Sequence, residues 1–184
     1  MKSEKMFSIR SMAQTAIFTA LLCVAAPVSV PLPWLVPISL ATLVVYIAAA
    51  VLGARRAAAA VLAYVTLGAV GVPVFSGYQA GFGVLFGVTG GYIIGYVPLA
   101  LVAGRLTALP MRRHCACALG MTAGTAVMYA LGTSWYMLMT GSTISVALVS
   151  CVVPFVGVDI VKIAIATAIA VPLSDRLAAA YADR

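Results

Sequence analysis

The chain has 184 residues, of which 64% are hydrophobic and only 8% are charged, and its formal net charge is +7. A soluble domain has about 25% charged residues, so this composition excludes an ordinary soluble protein and indicates a membrane protein. The cationic residues form small clusters between long uncharged runs. They do not form a basic stripe with interleaved aromatic residues, which argues against nucleic-acid binding.

Uncharged runs divide the chain into pairs of predicted membrane helices. Residues 11–54 and 57–104 carry no charged side chain. One membrane-spanning helix needs about 20 residues, so each run accommodates two helices and a turn. A third pair fits between residues 115 and 173. The pattern therefore predicts an all-α integral membrane protein, a single domain of six helices over residues 1–184. The predicted helices span residues 13–30, 37–52, 57–71, 91–109, 115–137 and 156–173.

The first predicted helix follows a basic segment, as the apolar part of a signal peptide does. Lys2, Lys5 and Arg10 precede an apolar run that starts at Ala13. Because this run reaches Pro27 and a second span follows almost at once, we interpret it as a retained first helix.

Basic residues occupy alternate connections between the predicted helices. They occur before helix one, between helices two and three, between helices four and five, and after helix six. The other three connections contain no Lys or Arg. The basic residues of the two internal connections are Arg55, Arg56, Arg105, Arg112 and Arg113. With six spans all of these segments lie on one side, so the positive-inside rule predicts that both termini are cytoplasmic.

The outer connections are uncharged and contain aromatic residues. Residues 31–37, PLPWLVP, are stiff, and residues 71–92 form a long, glycine-rich, apolar connection. The third is predicted to contain a short surface helix over residues 143–153, halted by Pro154. Long loops in compact proteins are usually functional. We interpret these connections as a lid over a small-molecule pocket, with loops that only lie in the membrane interface as the alternative. The candidate ligand contacts in the first two are Trp34, Phe75, Tyr78 and Gln79.

An acid and a base stand close together in the last predicted helix. Asp159 and Lys162 lie three residues apart in the apolar stretch VGVDIVK, so they share one helix face. A charge in a membrane span costs about 2.5–3.5 kcal/mol on insertion scales. Mutual pairing reduces that cost, so one interpretation is a salt bridge that orders the bundle. The other is a ligand site, because ionisable residues within membranes usually face a cavity or the bundle interior. We favour the ligand site, in which Asp159 offers acceptors and Lys162 offers donors.

The motifs of catalysis are missing from the chain. It has one histidine and four acidic residues, and it contains no hydrolase triad, no HExxH helix and no nucleotide-binding loop. Cys115 and Cys117 are separated by one residue, which is too close for the usual paired ligands of a zinc site. We therefore expect neither an enzyme nor a resident metal or cofactor. A small-molecule binder or carrier fits better, and active uptake by it needs an energy source outside this chain.

Small residues line one side of the first predicted helix near its cytoplasmic end. Ala13, Ala16 and Ala20, here named the alanine stripe, fall on one face. Small side chains let membrane helices approach closely. The stripe suits either the docking of a partner helix or packing within the bundle, and from the sequence the two interpretations are equally good.

Four phrases of the sequence, taken in order, resemble one family of membrane proteins. They are PLPWLVPISLATL, VLGARRAAAAVLAYVTLGAVGVPVFSG, GVTGGYIIGY and PFVGVDIVK. Together they resemble BioY, the biotin-binding S component of energy-coupling factor (ECF) transporters, over residues 13–173. The resemblance implies a six-helix bundle with cytoplasmic termini and high-affinity capture of biotin at the outer face of a bacterial plasma membrane. It also implies coupling to a transmembrane T component and a pair of ABC-type ATPases.

The same resemblance implies roles for particular residues. The D-x-x-K motif of the family maps onto Asp159 and Lys162, which are then expected to contact biotin. The TGGY segment, with Gly90, Gly91 and Tyr92, is expected to close the pocket together with the long connection before it. The alanine stripe is expected to dock the T component.

The chain departs from the family pattern at two positions. Ala41 stands where many relatives have Gln, which puts a pocket contact from that position in doubt. Val88 stands where many have Pro, which leaves the loop less rigid. Neither change touches the acid–base pair. The alternatives to biotin capture are an S component for another small vitamin and a helical membrane protein with a role in assembly.

Overall fold

The structure is a computed structural model that describes residues 9–30 and 37–182. Eight α-helices and one two-stranded ribbon account for most of this part of the chain, which confirms the all-α fold class. The helices are α1 (Ile9–Ala25), α2 (Ala41–Leu52), α3 (Ala54–Ala69), α4 (Phe82–Leu85), α5 (Gly90–Leu106), α6 (Arg113–Thr140), α7 (Ile144–Cys151) and α8 (Val153–Ala182). The ribbon pairs β1 (Ser29–Val30) with β2 (Ile38–Ser39) in antiparallel register.

Seven of these helices correspond to predicted ones. The six predicted membrane helices are α1, α2, α3, α5, α6 and α8, and α7 is the predicted short outer helix. The single turn α4 was not predicted. Within the described ranges, two helical stretches are long and apolar enough to cross a membrane by length and composition. They are α6 and the run Ile144–Leu177, which comprises α7 and most of α8.

Two boundaries near the first outer connection were predicted wrongly. The first helix ends at Ala25 and not at residue 30, because the chain extends into the ribbon and Pro27 disfavours helical geometry in the residue before it. The second helix begins at Ala41 and not at residue 37, because Ile38–Ser39 form the second strand. Ser39 Oγ accepts a hydrogen bond from the Ala41 N–H at 3.0 Å, at the point where the helix starts.

The role predicted for Pro154 was also wrong. α7 ends at Cys151, and Pro154 lies in the first turn of α8, where its missing N–H removes no intrahelical hydrogen bond. α8 begins at Val153 and continues through Pro172 to Ala182, so it extends beyond the predicted helix at both ends. The other boundaries differ from the predicted ones by a turn or less.

Glycine allows α5 and α6 to pack backbone against backbone. A Cβ added to Gly95 would lie 3.1 Å from Met128 Cγ, and one added to Gly124 would lie 2.9 Å from the carbonyl oxygen of Leu99. Side chains at these positions would force the helices apart. The closely packed helices α5 and α6 therefore form one firm wall of the bundle.

Gly104→Ala is expected to destabilise the fold. Gly104 on α5 faces the start of α3, and an added Cβ would lie less than 3.0 Å from backbone atoms of Ala54. Backbone cannot move aside as a side chain can, and overpacking costs about 1–3 kcal/mol. The unfolding temperature in detergent should therefore fall.

The matched control is Gly157→Ala on α8. Nothing lies within 4 Å of a Cβ added there, and Ala favours the helix over Gly. This variant should unfold at the wild-type temperature or above it. An equal loss of stability in both variants would contradict the close contact between α5 and α3.

Candidate ligand-binding site

The charged pair of α8 is buried. Asp159 and Lys162 are 5% and 7% exposed, and Lys162 Nζ lies 3.5 Å from Asp159 Oδ1. The two residues stand one turn apart near the start of the helix, as their spacing predicts. Burial of both charges in an apolar bundle requires that their remaining hydrogen-bonding groups also find partners.

Lys162 finds its other partners at the start of α2. Its ammonium donates to the Ser39 carbonyl oxygen at 2.7 Å and to Thr42 Oγ1 at 2.9 Å. These two groups engage two of the three donors of the ammonium, which also forms an ion pair with the Asp159 carboxylate. Lys162 thus ties α8 to the junction of β2 and α2.

The Ser39 side chain holds that junction in place. Its hydroxyl donates to the Ala26 carbonyl oxygen at 2.8 Å and accepts from the Ala41 N–H. The end of α1 and the start of α2 therefore fix the carbonyl group that Lys162 uses.

Asp159 has one further partner and spare acceptor capacity. The Tyr129 hydroxyl on α6 donates to Asp159 Oδ2. A carboxylate offers about four lone-pair sites, and the ammonium and the phenol use two of them. Asp159 is therefore able to accept a hydrogen bond from a ligand while it keeps both of its protein partners.

A small inner cavity of about 40 Å³ adjoins the charged pair. Its walls come from β2, α2, α5, α6, α7 and α8. Besides the pair, the lining residues are Pro37, Ile38, Ser39, Thr42, Tyr92, Tyr96, Met128, Tyr129, Cys151 and Phe155. Apolar and aromatic walls with a few polar groups are typical of small-molecule sites. Across residues 9–30 and 37–182, no group of three or more His, Cys, Asp or Glu side chains is placed to hold a metal ion.

A larger outer cavity of about 280 Å³ lies next to the inner one. Both cavities are lined by Pro37, Tyr92 and Tyr96, here named the collar. The other lining residues of the outer cavity are Ser29, Phe75, Ser76, Gly77, Gln79, Val84, Thr89 and Ile93. None of the described side chains that line it is charged.

The connection between α3 and α5 folds over the outer cavity as a roof. The Phe75 N–H donates to the Gln79 carbonyl oxygen at 3.0 Å, and the Gly77 N–H donates to the Pro27 carbonyl oxygen at 3.2 Å. The Phe75 ring is fully buried and meets the Tyr64 ring edge-on, with the ring centroids 5.7 Å apart. The roof is therefore attached to α3 and to the segment after α1.

Tyr92 is placed by contacts between α5 and α6. Its hydroxyl hydrogen-bonds to Thr133 Oγ1 at 3.0 Å, and its ring packs on Gly132, where a Cβ would collide with it. Trp135 Nε1 donates to the Gly87 carbonyl oxygen at 2.9 Å, just before α5 begins. The GVTGGY segment is thus anchored on α6.

A third cavity of about 380 Å³, here named the α6–α7 groove, lies behind this wall. Tyr129 and Thr133 line it together with residues of α7 such as Ile144 and Leu148. Tyr129 also lines the inner cavity. Tyr129 therefore borders both the inner cavity and the groove.

The sequence profile of the BioY family matches residues 1–179 of the chain. The chain belongs to the BioY family. The biotin transporter BioY of Thermotoga maritima is 39% identical over 168 residues, which cover 90% of this chain and 96% of that one. The biotin transporter BioY2 of Lactococcus lactis subsp. cremoris is 34% identical over 168 residues, 91% of this chain and 90% of that one. The biotin transporter BioY of Rhodobacter capsulatus is 34% identical over 168 residues, 85% of this chain and 88% of that one.

A solved structure has the same fold. It is the crystal structure of the S component for biotin from an ECF-type ABC transporter, with a TM-score of 0.84 and 20% identity over 95% of both chains. Membership of the BioY family confirms that the chain is a membrane protein and that it is not an enzyme.

Five of the predicted site residues of this BioY family member come together at the two cavities. Asp159 and Lys162 line the inner cavity, and Tyr92 lines both. Phe75 and Gln79 line the outer cavity under the roof. Segments far apart in the chain are therefore joined in one place, as the interpretation of a ligand site requires.

The other predicted contacts lie elsewhere. Gly90 and Gly91 are buried in the first turn of α5 behind the cavity lining, and Gly91 packs against the Trp135 side chain. Tyr78 is 69% exposed on the roof and lines neither cavity. Trp34 lies outside the described residues.

Sequence reasoning missed several residues of the site. Ser39, Thr42 and Tyr129 hold the charged pair, and Tyr96 lines both cavities. Tyr96 follows Tyr92 by four residues, a spacing that signals a shared helix face. Ser39 and Thr42 lie within the phrase PLPWLVPISLATL that resembles the family. Tyr129 carries no local signal, because only the fold brings it to α8.

The alanine stripe lies on the outside of the bundle. Ala13, Ala16 and Ala20 are all exposed. Ala16 and Ala20 line an open apolar groove of about 1010 Å³, here named the α1–α3 groove, with residues such as Ala59 and Ala63 on its other side. The stripe is therefore not buried among the described helices, and its docking of a partner stays a prediction.

Proposed function

We propose that the chain is the biotin-binding S component of a bacterial ECF transporter. Relatives that match most of its length are named biotin transporters, and the solved structure of the same fold is titled the S component for biotin. The observation that carries the proposal is the buried pair of Asp159 and Lys162 beside two adjoining cavities under an uncharged roof. A compact, largely apolar ligand with a polar edge suits such a site.

The hydrogen bonds of the pair favour one orientation of biotin. Lys162 is held by hydrogen bonds to Ser39 and Thr42 and by its ion pair with Asp159, whereas Asp159 retains acceptor sites. We infer that a ureido N–H of biotin donates to Asp159 and that the fused rings occupy the inner cavity. The reverse orientation would bring the ligand carboxylate next to the Asp159 carboxylate, where like charges repel each other. The valerate chain then passes the collar into the outer cavity.

Ligand entry requires the inner cavity to widen. Its volume of about 40 Å³ is far below the roughly 300–1,000 Å³ of typical small-molecule sites. The roof and the side chains of the collar are the parts that can yield, because backbone contacts lock α5 against α6. Binding therefore couples movement of the roof to filling of the site.

Purified protein is expected to bind biotin, and Asp159→Asn and Lys162→Met should each weaken that binding. Asp159→Asn weakens a charge-assisted hydrogen bond to the ligand, which costs about 1.5–3 kcal/mol or about a 10- to 150-fold rise in Kd. Lys162→Met acts indirectly, because it removes the cation that positions the Asp159 carboxylate. Each single variant also leaves one buried charge unpaired, so it should lower the unfolding temperature. The double variant should recover stability but stay defective in binding. Titration calorimetry measures the affinity, and thermal unfolding measures the stability.

The matched control is Asp175→Asn. Asp175 lies on the same helix and pairs with Arg113 at the opposite end of the bundle, far along α8 from the cavities. This variant should bind biotin as the wild type does. Normal binding by the double variant of the charged pair would make the pair a structural salt bridge and would overturn the proposal.

We also propose that α1, α2, α3, α5, α6 and α8 cross the membrane with both termini in the cytoplasm. The clusters of basic residues on alternate connections support this orientation. Arg113 at the start of α6 pairs with Asp175 near the end of α8, so two of the basic segments meet at one end of the bundle. The roof lies beside Trp135, near the other end of α6, and therefore faces outwards.

Single cysteines test this orientation, in a chain whose four native cysteines are replaced by alanine. Gln79→Cys on the roof should react with a membrane-impermeant maleimide added to whole cells. Met111→Cys, which is exposed between α5 and α6, should react only after the membrane is permeabilised. The opposite labelling pattern would overturn the orientation.

We propose further that the α1–α3 groove docks a T component, which carries with it the ATPase pair that supplies energy. The exposure of Ala13, Ala16 and Ala20 and the apolar lining of the groove support this proposal. Close approach of membrane helices requires small side chains, because lipid provides no hydrophobic drive between helices.

Ala16→Leu is expected to block docking and to spare biotin binding. The added bulk fills the groove, while Ala16 lines neither cavity of the ligand site. Co-purification with the T component and the ATPases should be lost, and biotin affinity of the isolated protein should not change. Ala164→Leu, on the exposed face of α8, is the matched control and should co-purify normally. Unchanged co-purification of Ala16→Leu would contradict docking at this surface.

A further inference from the structure

The polar side chains of the outer cavity are all neutral. They are the hydroxyl groups of Ser29, Ser76 and Thr89, the amide of Gln79 and the phenols of Tyr92 and Tyr96 in the collar. Hydroxyl and amide groups both donate and accept hydrogen bonds. They can therefore donate to a carboxylate, and they can both donate to and accept from a neutral amide.

The two charges of the site are separated from this cavity by the collar. Asp159 and Lys162 line the inner cavity and do not line the outer one. The Lys162 ammonium is directed to Ser39, Thr42 and Asp159. A ligand carboxylate in the outer cavity thus meets no cationic side chain among the described residues.

The start of α5 is the other electropositive feature near the outer cavity. Thr89 precedes its first turn, and the N-terminus of a helix favours an anion. The Gly90 N–H already donates to the Gly87 carbonyl oxygen and the Tyr92 N–H to the Thr89 carbonyl oxygen, each at 3.1 Å. The remaining effect of the helix end on a carboxylate corresponds to about a two- to fivefold preference.

We propose that the site recognises the ring system of its ligand and depends little on the charge of its carboxyl end, so that neutral carboxyl derivatives of biotin, above all the primary amide, bind with a Kd less than about tenfold above that of biotin. This inference rests on the proposed function, because it takes the ureido group to lie at Asp159. A site that held the carboxylate with a cation would lose about tenfold or more in affinity when that group became neutral. The outer cavity contributes no such cation.

Competition binding of biotin and biotinamide to the purified wild-type protein tests the inference. The amide has nearly the size and shape of the carboxylate and lacks its charge. We expect a Kd for biotinamide less than tenfold above that for biotin. A ratio of tenfold or more would overturn the inference while the proposed function stands. Failure of both compounds to bind would overturn the proposed function itself.

Gln79→Arg adds a cationic side chain to the lining of the outer cavity. Gln79 lies on the roof, is exposed and lines the outer cavity, so the variant should keep the fold. If the carboxylate lies in this cavity, the arginine should raise the preference for biotin over biotinamide by about two- to fivefold. This factor corresponds to the free energy that a solvent-exposed ion pair contributes. Titration of both compounds against this variant measures the change.

Phe86→Arg is the matched control for charge. Phe86 is 67% exposed on the same connection and lines neither cavity. This variant adds the same charge outside the site and should leave the ratio of the two Kd values at its wild-type level. An unchanged ratio in Gln79→Arg as well would place the carboxylate outside this cavity and overturn the inference.

Discussion

The hydrogen bonds and the ion pair of the Lys162 ammonium are the interactions on which the candidate ligand site depends. A lone charge at membrane depth costs about 2.5–3.5 kcal/mol on insertion scales. Here the cost is offset by the Ser39 carbonyl, the Thr42 hydroxyl and the Asp159 carboxylate. The same contacts join α8 to the ribbon and to α2. One cation therefore holds three segments together and sets the position of the carboxylate, which is left with free acceptor sites for a ligand.

The two halves of the site differ in how firmly they are held. The wall made by α5 and α6 is locked where Gly95 and Gly124 allow backbone to touch backbone. The roof is held by a few backbone hydrogen bonds and by the buried ring of Phe75. Surfaces with few buried contacts open at lower free energy than packed helices. A ligand in this candidate site would therefore meet a rigid wall of α5 and α6 next to the charged pair of α8, and a less firmly held roof that carries only neutral groups.

The sequence predicts those features that membrane physics imposes locally. Backbone polar groups must be satisfied inside each span, so hydropathy and charge spacing locate the helices well. The acid–base pair is found because its two members lie on one turn. The partners of that pair come from 30 and 123 residues away, and no local pattern points to Tyr129 or Ser39. Tyr78 lines neither cavity, because it and Gly77 adopt positive φ in a tight turn that aromatic composition does not reveal.

The α6–α7 groove lies next to the candidate ligand site and shares Tyr129 with it. Tyr129 lines that groove, and its hydroxyl donates to the carboxylate of Asp159. An acyl chain or detergent tail that entered the groove would contact the same side chain that the candidate ligand site uses. Occupancy of the groove would then be linked to ligand binding in both directions, and the affinity would depend on the length and shape of the amphiphile around the protein.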